Sequence, residues 1–366
     1  TGSVARGGRG LEDAARQARY EVFEALMAPE VGLLLAHHRD DQAETLMLRL
    51  MRGSGTRGLS AMASSRALGE GALYRPLLEL DRQTLLDQAN DWDLSWIEDD
   101  SNAETEFDRN FLRLDILPAL SNRWPNLNEQ WAQSAHWCRQ ADTLVSEVAA
   151  EDLALAAPQK ERLGQSVDLT VLASLSAYRR GNLLRLWFEQ LGVALPDKNL
   201  LDTLDRQFID ARSDSAAEVR WQSIIIRHFK QRLYCLPADL LDRCPAQISA
   251  EGAEMSKNGW KGQSMVWGRG SIVLESVAEG GFTIPPQGFE VSLRRQGERC
   301  HPIWRDKSQS LKKLLQESRL EPWLRAQMPC LRVDDQLAVA ADLWHCRGHE
   351  AHTGDGYRLR WNISAE

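Results

Sequence analysis

The stretch Val31-Gly-Leu-Leu-Leu-Ala-His-His-Arg-Asp-Asp-Gln-Ala-Glu-Thr45 decides the fold. Val31 to Ala36 is a short, bounded apolar run without alternation, which predicts a strand buried on both faces, as in a parallel sheet. A helix starts within His37-His-Arg-Asp-Asp41 and runs to about Met51, ending at Gly53. Upstream, Leu11, Ala14, Ala15, Ala18, Val22 and Leu26 recur at helical spacing over 11–27, until Pro29 breaks the pattern. Helix, strand, helix in that order predicts an α/β sheet with helices on its faces. Ligands in such sheets sit beyond the C-terminal ends of strands, where His37 to Asp41 fall.

Downstream, Arg52-Gly-Ser-Gly-Thr-Arg-Gly58 reads as a glycine-rich loop, Tyr74 to Leu78 as a short strand and Leu80 to Asp93 as a helix. Asp108 to Arg113 enters another helix, followed by Pro118. Residues 126–204 are helical in pattern, and 218–236 read as paired strands. Residues 237–285 read as linker with irregular strands, and 286–366 as strands with one helix over Ser310 to Glu317.

The chain has 366 residues, 43% hydrophobic and 26% charged, which excludes wholesale disorder and fits two or three domains at roughly 100–200 residues each. No stretch approaches the ~18 apolar residues of a membrane span, and residues 1–9 lack the apolar core of a signal peptide. The six cysteines show no C-x-x-C spacing and read as reduced thiols of a cytoplasmic protein. Net charge is −8, so the whole chain is not a basic nucleic-acid coat. The average hides a reversal. Between Arg294 and Arg325 nine basic side chains face four acidic ones, giving +5 and leaving −13 for the remainder. Trp304 and Trp323 are interleaved, the composition of a phosphate-backbone contact surface, although a solvated face has the same count.

Asp41 and Glu44 lie three apart, so on a helix they share a face and can hold an ammonium group. The same two acids also suit an ordinary solvated first turn. His37, His38, Asp40 and Asp41 could be metal ligands, but adjacent histidines at a strand end cannot both point inward, and no second cluster lies nearby. His345, Cys346, His349 and His352 do not have zinc spacing and read as loop histidines. The glycines of Arg52 to Gly58 could let backbone N–H groups approach a phosphate, a weak signal by itself.

Taken in order, six strings are more specific: Glu12-x-x-Ala-Arg16-x-x-Arg19-Tyr20, His37 to Thr45, Arg52 to Leu59, Arg75-Pro-Leu-Leu78, Glu98-Asp-Asp-Ser-Asn102 and Asp108-Arg-Asn-Phe-Leu-Arg113. They resemble the tRNA(Ile)-lysidine synthase family, and the likeness extends to Leu311-Lys-Lys-Leu314 and Pro322-Trp-x-Arg325-x-x-x-Pro329. The resemblance implies a parallel-sheet ATP-pyrophosphatase (PP-loop, adenine nucleotide alpha hydrolase-like) domain over 1–124. A mainly helical domain over 125–236, the 237–285 linker and a small α+β domain over 286–366 would follow. It implies ATP-dependent ligation of L-lysine to C2 of the wobble cytidine of the CAU anticodon, with ATP as co-substrate, Mg2+ and tRNA(Ile) as partner. The acting species would be a monomer or homodimer with no membrane attachment.

The resemblance also distributes roles. Asp41 and Glu44 would bind lysine, Asp41 as general base. Arg16, Arg19 and His37 would meet ATP, with His37 and Arg109 at the reacting centre. Asp99, Ser101, Asn102 and Arg113 would shape the pocket. Arg294, Arg295, Lys312, Lys313, Trp323 and Arg325 would touch tRNA. A base is needed because an amine of ordinary pKa near 10.4 is almost wholly protonated at pH 7, a gap of about 4.6 kcal/mol. The family opens with a phosphate loop of the form Ser-Gly-Gly-x-Asp-Ser, and no such string occurs in this sequence. The expectation is therefore an N-terminally incomplete chain that binds ATP poorly and catalyses little. Two other readings stay open: a non-catalytic tRNA-binding fragment, and a related tRNA thiolase. Thiolases carry catalytic cysteines near the active site, whereas the first cysteine here is Cys138.

Overall fold

Helix α1 (Leu11–Ala25) leads into β1 (Gly32–Leu34), and α2 (Arg39–Met51) follows, the order the sequence predicts. The computed structural model describes residues 11–97, 107–210, 217–238, 264–268, 270–284, 289–351 and 356–363. They fall into two compact units, 1–147 and 148–366.

In the first unit, α3 (Thr56–Leu59) closes the glycine-rich segment, so Arg52 to Gly58 is a turn entering a helix and not an open loop. A hairpin of β2 (Ser65–Leu68) and β3 (Gly71–Tyr74) follows. The sheet order is β1-β3-β2, with β1 parallel to β3 in the register Leu33–Leu73. Strand β3 therefore ends at Tyr74, where the sequence pattern places the start of a strand. Gly71 is required there: a Cβ would stand 2.5 Å from the Val31 carbonyl oxygen. The parallel partner is as expected, but burial on both faces is not. Strand β1 has three residues, and Leu34 is 68% exposed, so the described residues leave one face uncovered.

Helix α4 (Arg82–Asp91) starts at Asp81, whose carboxylate accepts the Thr84 N–H at 2.7 Å, an ordinary N-cap. Helix α5 (Asp108–Phe111), a π-helical turn (Leu112–Ile116) and α6 (Leu117–Arg123) run on from one another, and α7 (Leu127–Leu155) follows.

In the second unit two short strands interrupt the helical pattern read over 126–204, and the paired strands expected over 218–236 are present. Strands β4 (Gln159–Lys160) and β5 (Gln165–Asp168) come first, followed by α8 (Leu169–Ser174), α9 (Ala177–Gln190) and α10 (Lys198–Leu204). Then come β6 (Glu218–Trp221), β7 (Ile224–Phe229) and β8 (Arg232–Pro237), in an antiparallel sheet of order β4-β5-β8-β7-β6. Leu183, Leu184, Trp187 and Phe188 of α9 bury against Val167, Ile226 and Leu233 of that sheet.

Strands β9 (Ser264–Trp267) and β10 (Gly270–Val277) are regular, not irregular as expected, because β10 pairs along its whole length with the last strand of the chain. The remaining elements are β11 (Glu290–Leu293), β12 (Arg299–Cys300), β13 (Gln309–Ser310), α11 (Leu311–Glu317), β14 (Pro329–Val333), β15 (Gln336–Ala340), β16 (Trp344–His345) and β17 (Gly356–Ile363). They form antiparallel sheets β17-β10-β9 and β11-β14-β15-β16, with β12 and β13 as a separate pair. With α11 among them this is the expected α+β ending. Ile225, Tyr234 and Leu236 share one core with Phe282, Leu314, Leu331 and Trp361.

The reduced-thiol reading is corrected at one pair. The His301–Arg347 backbone hydrogen bond brings Cys300 and Cys346 to a Cα separation of 5.9 Å, and they form a disulfide. Cys138, Cys235 and Cys330 are free thiols. Among the described residues no helix is long and apolar enough to cross a membrane.

Ile226, at the centre of β7, is fully buried. Ile226→Ala should cost about 3 kcal/mol of stability, read as a lower urea midpoint at unchanged slope; a loss below about 1 kcal/mol would contradict this packing.

Candidate active site

The first turn of α2 sets the geometry. His38 is its N-cap, and its backbone N–H donates to Asp41 Oδ2 at 3.0 Å, closing a capping box. Asp41 and Glu44 then project from one face, buried despite their charge, Glu44 to 1% exposure. Two arginines four apart, Arg109 on α5 and Arg113 in the π-helical turn, meet them. Arg109 Nε donates to Glu44 Oε2 at 2.7 Å and Arg113 Nε to Glu44 Oε1 at 2.6 Å. Arg113 Nη2 also reaches Asp41 Oδ1 at 3.3 Å, and Arg109 Nη2 lies 3.8 Å from the same atom. Burial works against the Arg113 cation, but Glu44, Asp41 and Asp40 outweigh it and raise its pKa.

A cavity of about 420 Å3 opens beside this cluster. Arg16, Arg19, Tyr20 and Phe23 of α1 line one side, and Leu35, Ala36, His37 and Arg109 the other. Four residues singled out from sequence, Arg16, Arg19, His37 and Arg109, therefore share one space at the C-terminal end of β1. Arg109 belongs to both the cavity and the carboxylate cluster. The His37 ring accepts a hydrogen bond at Nδ1 from Arg75 Nε, 3.2 Å away. Burial, opposed by Asp41 and reinforced by Arg75, Arg109 and Arg16, holds the His37 pKa below its ordinary value.

The neighbouring His38 and Asp40 do structural work. Asp40 accepts the Arg82 N–H at 2.8 Å and the Asn128 side-chain amide at 2.6 Å, tying α2 to the starts of α4 and α7. The Asp40 carboxylate, 3.5 Å from His38 Nδ1, raises the His38 pKa against burial, and His38, with the Arg82 N–H, depresses Asp40 to about 2. Among the described residues no group of three or more His, Cys, Asp or Glu side chains could hold a metal.

Asp99, Ser101 and Asn102 lie outside the described residues, as does His352. The basic block divides. Arg294, Lys312 and Lys313 are exposed. Arg295 pairs with Asp335 and lies 3.5 Å from Glu290, and Glu298 is taken by buried Arg332. Trp323 packs edge-on against Phe229 and Tyr234, and Arg325 Nη2 donates to the Leu320 carbonyl at 2.9 Å. These last two are half-buried, Trp323 lying against the edge of the core. Sequence reasoning gives no role to Arg75, Tyr20 or Phe23. Arg75 and Tyr20 lie within the family-like strings, so a signal for them exists; Phe23 has none.

Three family models match the chain: a PP-loop domain over residues 2–120, a TilS substrate binding domain over 168–234 and a TilS substrate C-terminal domain over 289–361. Among curated relatives, the tRNA(Ile)-lysidine synthase of Serratia proteamaculans is 38% identical over 96% of this chain and 78% of its own length. That of Coxiella burnetii is 33% identical over 98% of this chain and 77% of its own, and that of Legionella pneumophila 35% over 90% and 73%.

Two outcomes test the cluster. Glu44→Ala strands two guanidiniums and should cost about 3 kcal/mol in denaturant unfolding; a loss within 0.5 kcal/mol of zero, roughly the effect of a plain surface substitution, would contradict the burial. Asp40 is depressed from 3.8 to about 2, so its contribution is present above pH 3.8 and lost as pH falls through 2. His38 is raised, so its share is present below 6.5 and lost as pH rises through its folded midpoint. Asp40→Asn should therefore lower the His38 midpoint in a histidine NMR titration; an unmoved midpoint would break the assignment.

Proposed function

Because the chain belongs to the tRNA(Ile)-lysidine synthase family, we propose that it serves the ATP-dependent ligation of L-lysine to C2 of the wobble cytidine, position 34, in the CAU anticodon of tRNA(Ile). The observation that carries this reading is the double membership of Arg109, which lines the arginine-rich cavity and also pairs with Glu44 and Asp41. A phosphate-bearing substrate and an amine-bearing one can then lie on either side of one guanidinium.

In the proposed reaction the cytidine O2 attacks the α-phosphorus of ATP and pyrophosphate leaves. Arg16 and Arg19 offset the triphosphate charge, work suited to guanidinium groups. The lysine amine then attacks C2, the bond from C2 to the adenylated oxygen breaks, and AMP departs with that oxygen. The amine proton passes to Asp41. Asp41 is the better base of the pair because its arginine contacts are longer, 3.3 Å and 3.8 Å against 2.6 Å and 2.7 Å for Glu44. Glu44 fixes the two arginines and adds negative potential for the ammonium. Mg2+ would enter with the triphosphate.

The target base must leave its stack to react, which calls for recognition of single-stranded RNA. Arg294, Arg295, Lys312 and Lys313 are proposed to meet phosphates elsewhere on the tRNA, with Trp323 and Arg325 supporting that surface from beneath.

Asp41→Asn should weaken lysine binding at least tenfold by calorimetry and leave tRNA affinity unchanged; wild-type lysine affinity would refute the lysine-binding role of Asp41. Replacing Lys312 and Lys313 together with Ala should reduce the salt dependence of tRNA binding by about 1.5–2 in log–log slope. An unchanged slope would remove those lysines from the interface.

A further inference from the structure

Arg75 follows β3 and is 4% exposed although it carries a charge. Its guanidinium is held at two points: Nη1 donates to the Ala63 carbonyl at 2.7 Å, and Nε donates to His37 Nδ1 at 3.2 Å. Its own backbone N–H donates to the Ser64 carbonyl at 2.7 Å, so the side chain starts from a fixed position. A guanidinium has donors and no acceptor, so the atom it meets on His37 must present a lone pair. The ring is then protonated on Nε2 when neutral. The charged groups facing His37 are Arg16 from α1, Asp41 from α2, Arg109 from α5 and Arg75 itself: three cations against one carboxylate. Arg75 does not line the small cavity, whereas His37 does.

We propose that Arg75 is a positioning residue: it fixes neutral His37 as the Nε2–H tautomer, leaving that N–H as a donor for an acceptor oxygen of the nucleotide in the small cavity. This rests on the reading of that cavity as the nucleotide site. Its physical content is separate, because the hydrogen bond and the charge of Arg75 act on His37 whether or not a nucleotide is bound. A donor without net charge suits a place where Arg16, Arg19 and Arg109 already supply cations: it orients an oxygen without adding a fourth positive charge.

The test is nitrogen NMR of the full chain labelled with [15N]histidine, with His37 assigned through His37→Gln. The wild-type ring should show protonated Nε2 and bare Nδ1, titrating below the ordinary histidine value. In Arg75→Met the tautomer preference should be lost and the midpoint should rise. In Arg75→Gln the amide can still donate to Nδ1 but carries no charge, so the tautomer should persist while the midpoint rises. A purely structural arginine would move neither signal. Wild-type tautomer and midpoint in Arg75→Met would overturn the proposal. Should that variant fail to fold, an unmoved midpoint in Arg75→Gln would do the same. Adding ATP separates the two claims: His37 resonances that ignore ATP would refute the nucleotide site and leave the Arg75 result standing.

Discussion

A carboxylate with 1% exposure, Glu44, sits between two guanidiniums, and the site is built around that arrangement. A charge in that position is tolerable only while paired, because desolvating it alone costs several kcal/mol. The pairing fixes more than Glu44. It docks α5 and the π-helical turn against α2, brings Arg109 to the cavity and holds Arg113 against Asp41. A buried ion pair is a poor source of net stability compared with apolar packing. Its value here is geometric: it sets the distance between the arginine-lined cavity and the Asp41 and Glu44 carboxylates.

The five residues from His37 to Asp41 divide their labour where the chain enters α2. His37 faces the cavity and Asp41 the arginines, while Arg39 donates to the Glu79 carbonyl and Asp40 ties α2 to α4 and α7. His38 caps the helix. Two neighbouring histidines thereby acquire opposite acid–base character, His37 pushed down chiefly by burial and His38 pushed up chiefly by Asp40. Gln42 adds a further anchor, exchanging both of its amide hydrogen bonds with the Met62 backbone and so fixing the segment that leads to Ala63.

Much of this is legible from local spacing. The i, i+3 relation of Asp41 and Glu44 is enough to put them on one face, and the helix beginning near Arg39 follows from the same string. Their partners are not legible, because Arg109 is 65 residues from Glu44 and no local pattern encodes that contact. Among the described residues Val31 to Ala36 is not covered on both faces, because an apolar run shows what could be covered, not what covers it. Gln159–Lys160 and Gln165–Asp168 carry little apolar signal, so nothing local marks them as strands; pairing of β5 with β8 makes them so. The basic block is legible as a charge count but not as a set of individual exposures. A charge count treats Arg325 and Arg294 alike, whereas the fold turns one toward the Leu320 carbonyl and leaves the other in solvent. Cys300 and Cys346 stand 46 residues apart, too far for sequence to pair them.

The most direct measurement is a crystal structure of the chain soaked with L-lysine. An ammonium nitrogen should lie within about 3 Å of the Asp41 carboxylate, with Glu44 beside it. Lysine bound elsewhere, with Asp41 still turned wholly to His38 and Arg113, would contradict it.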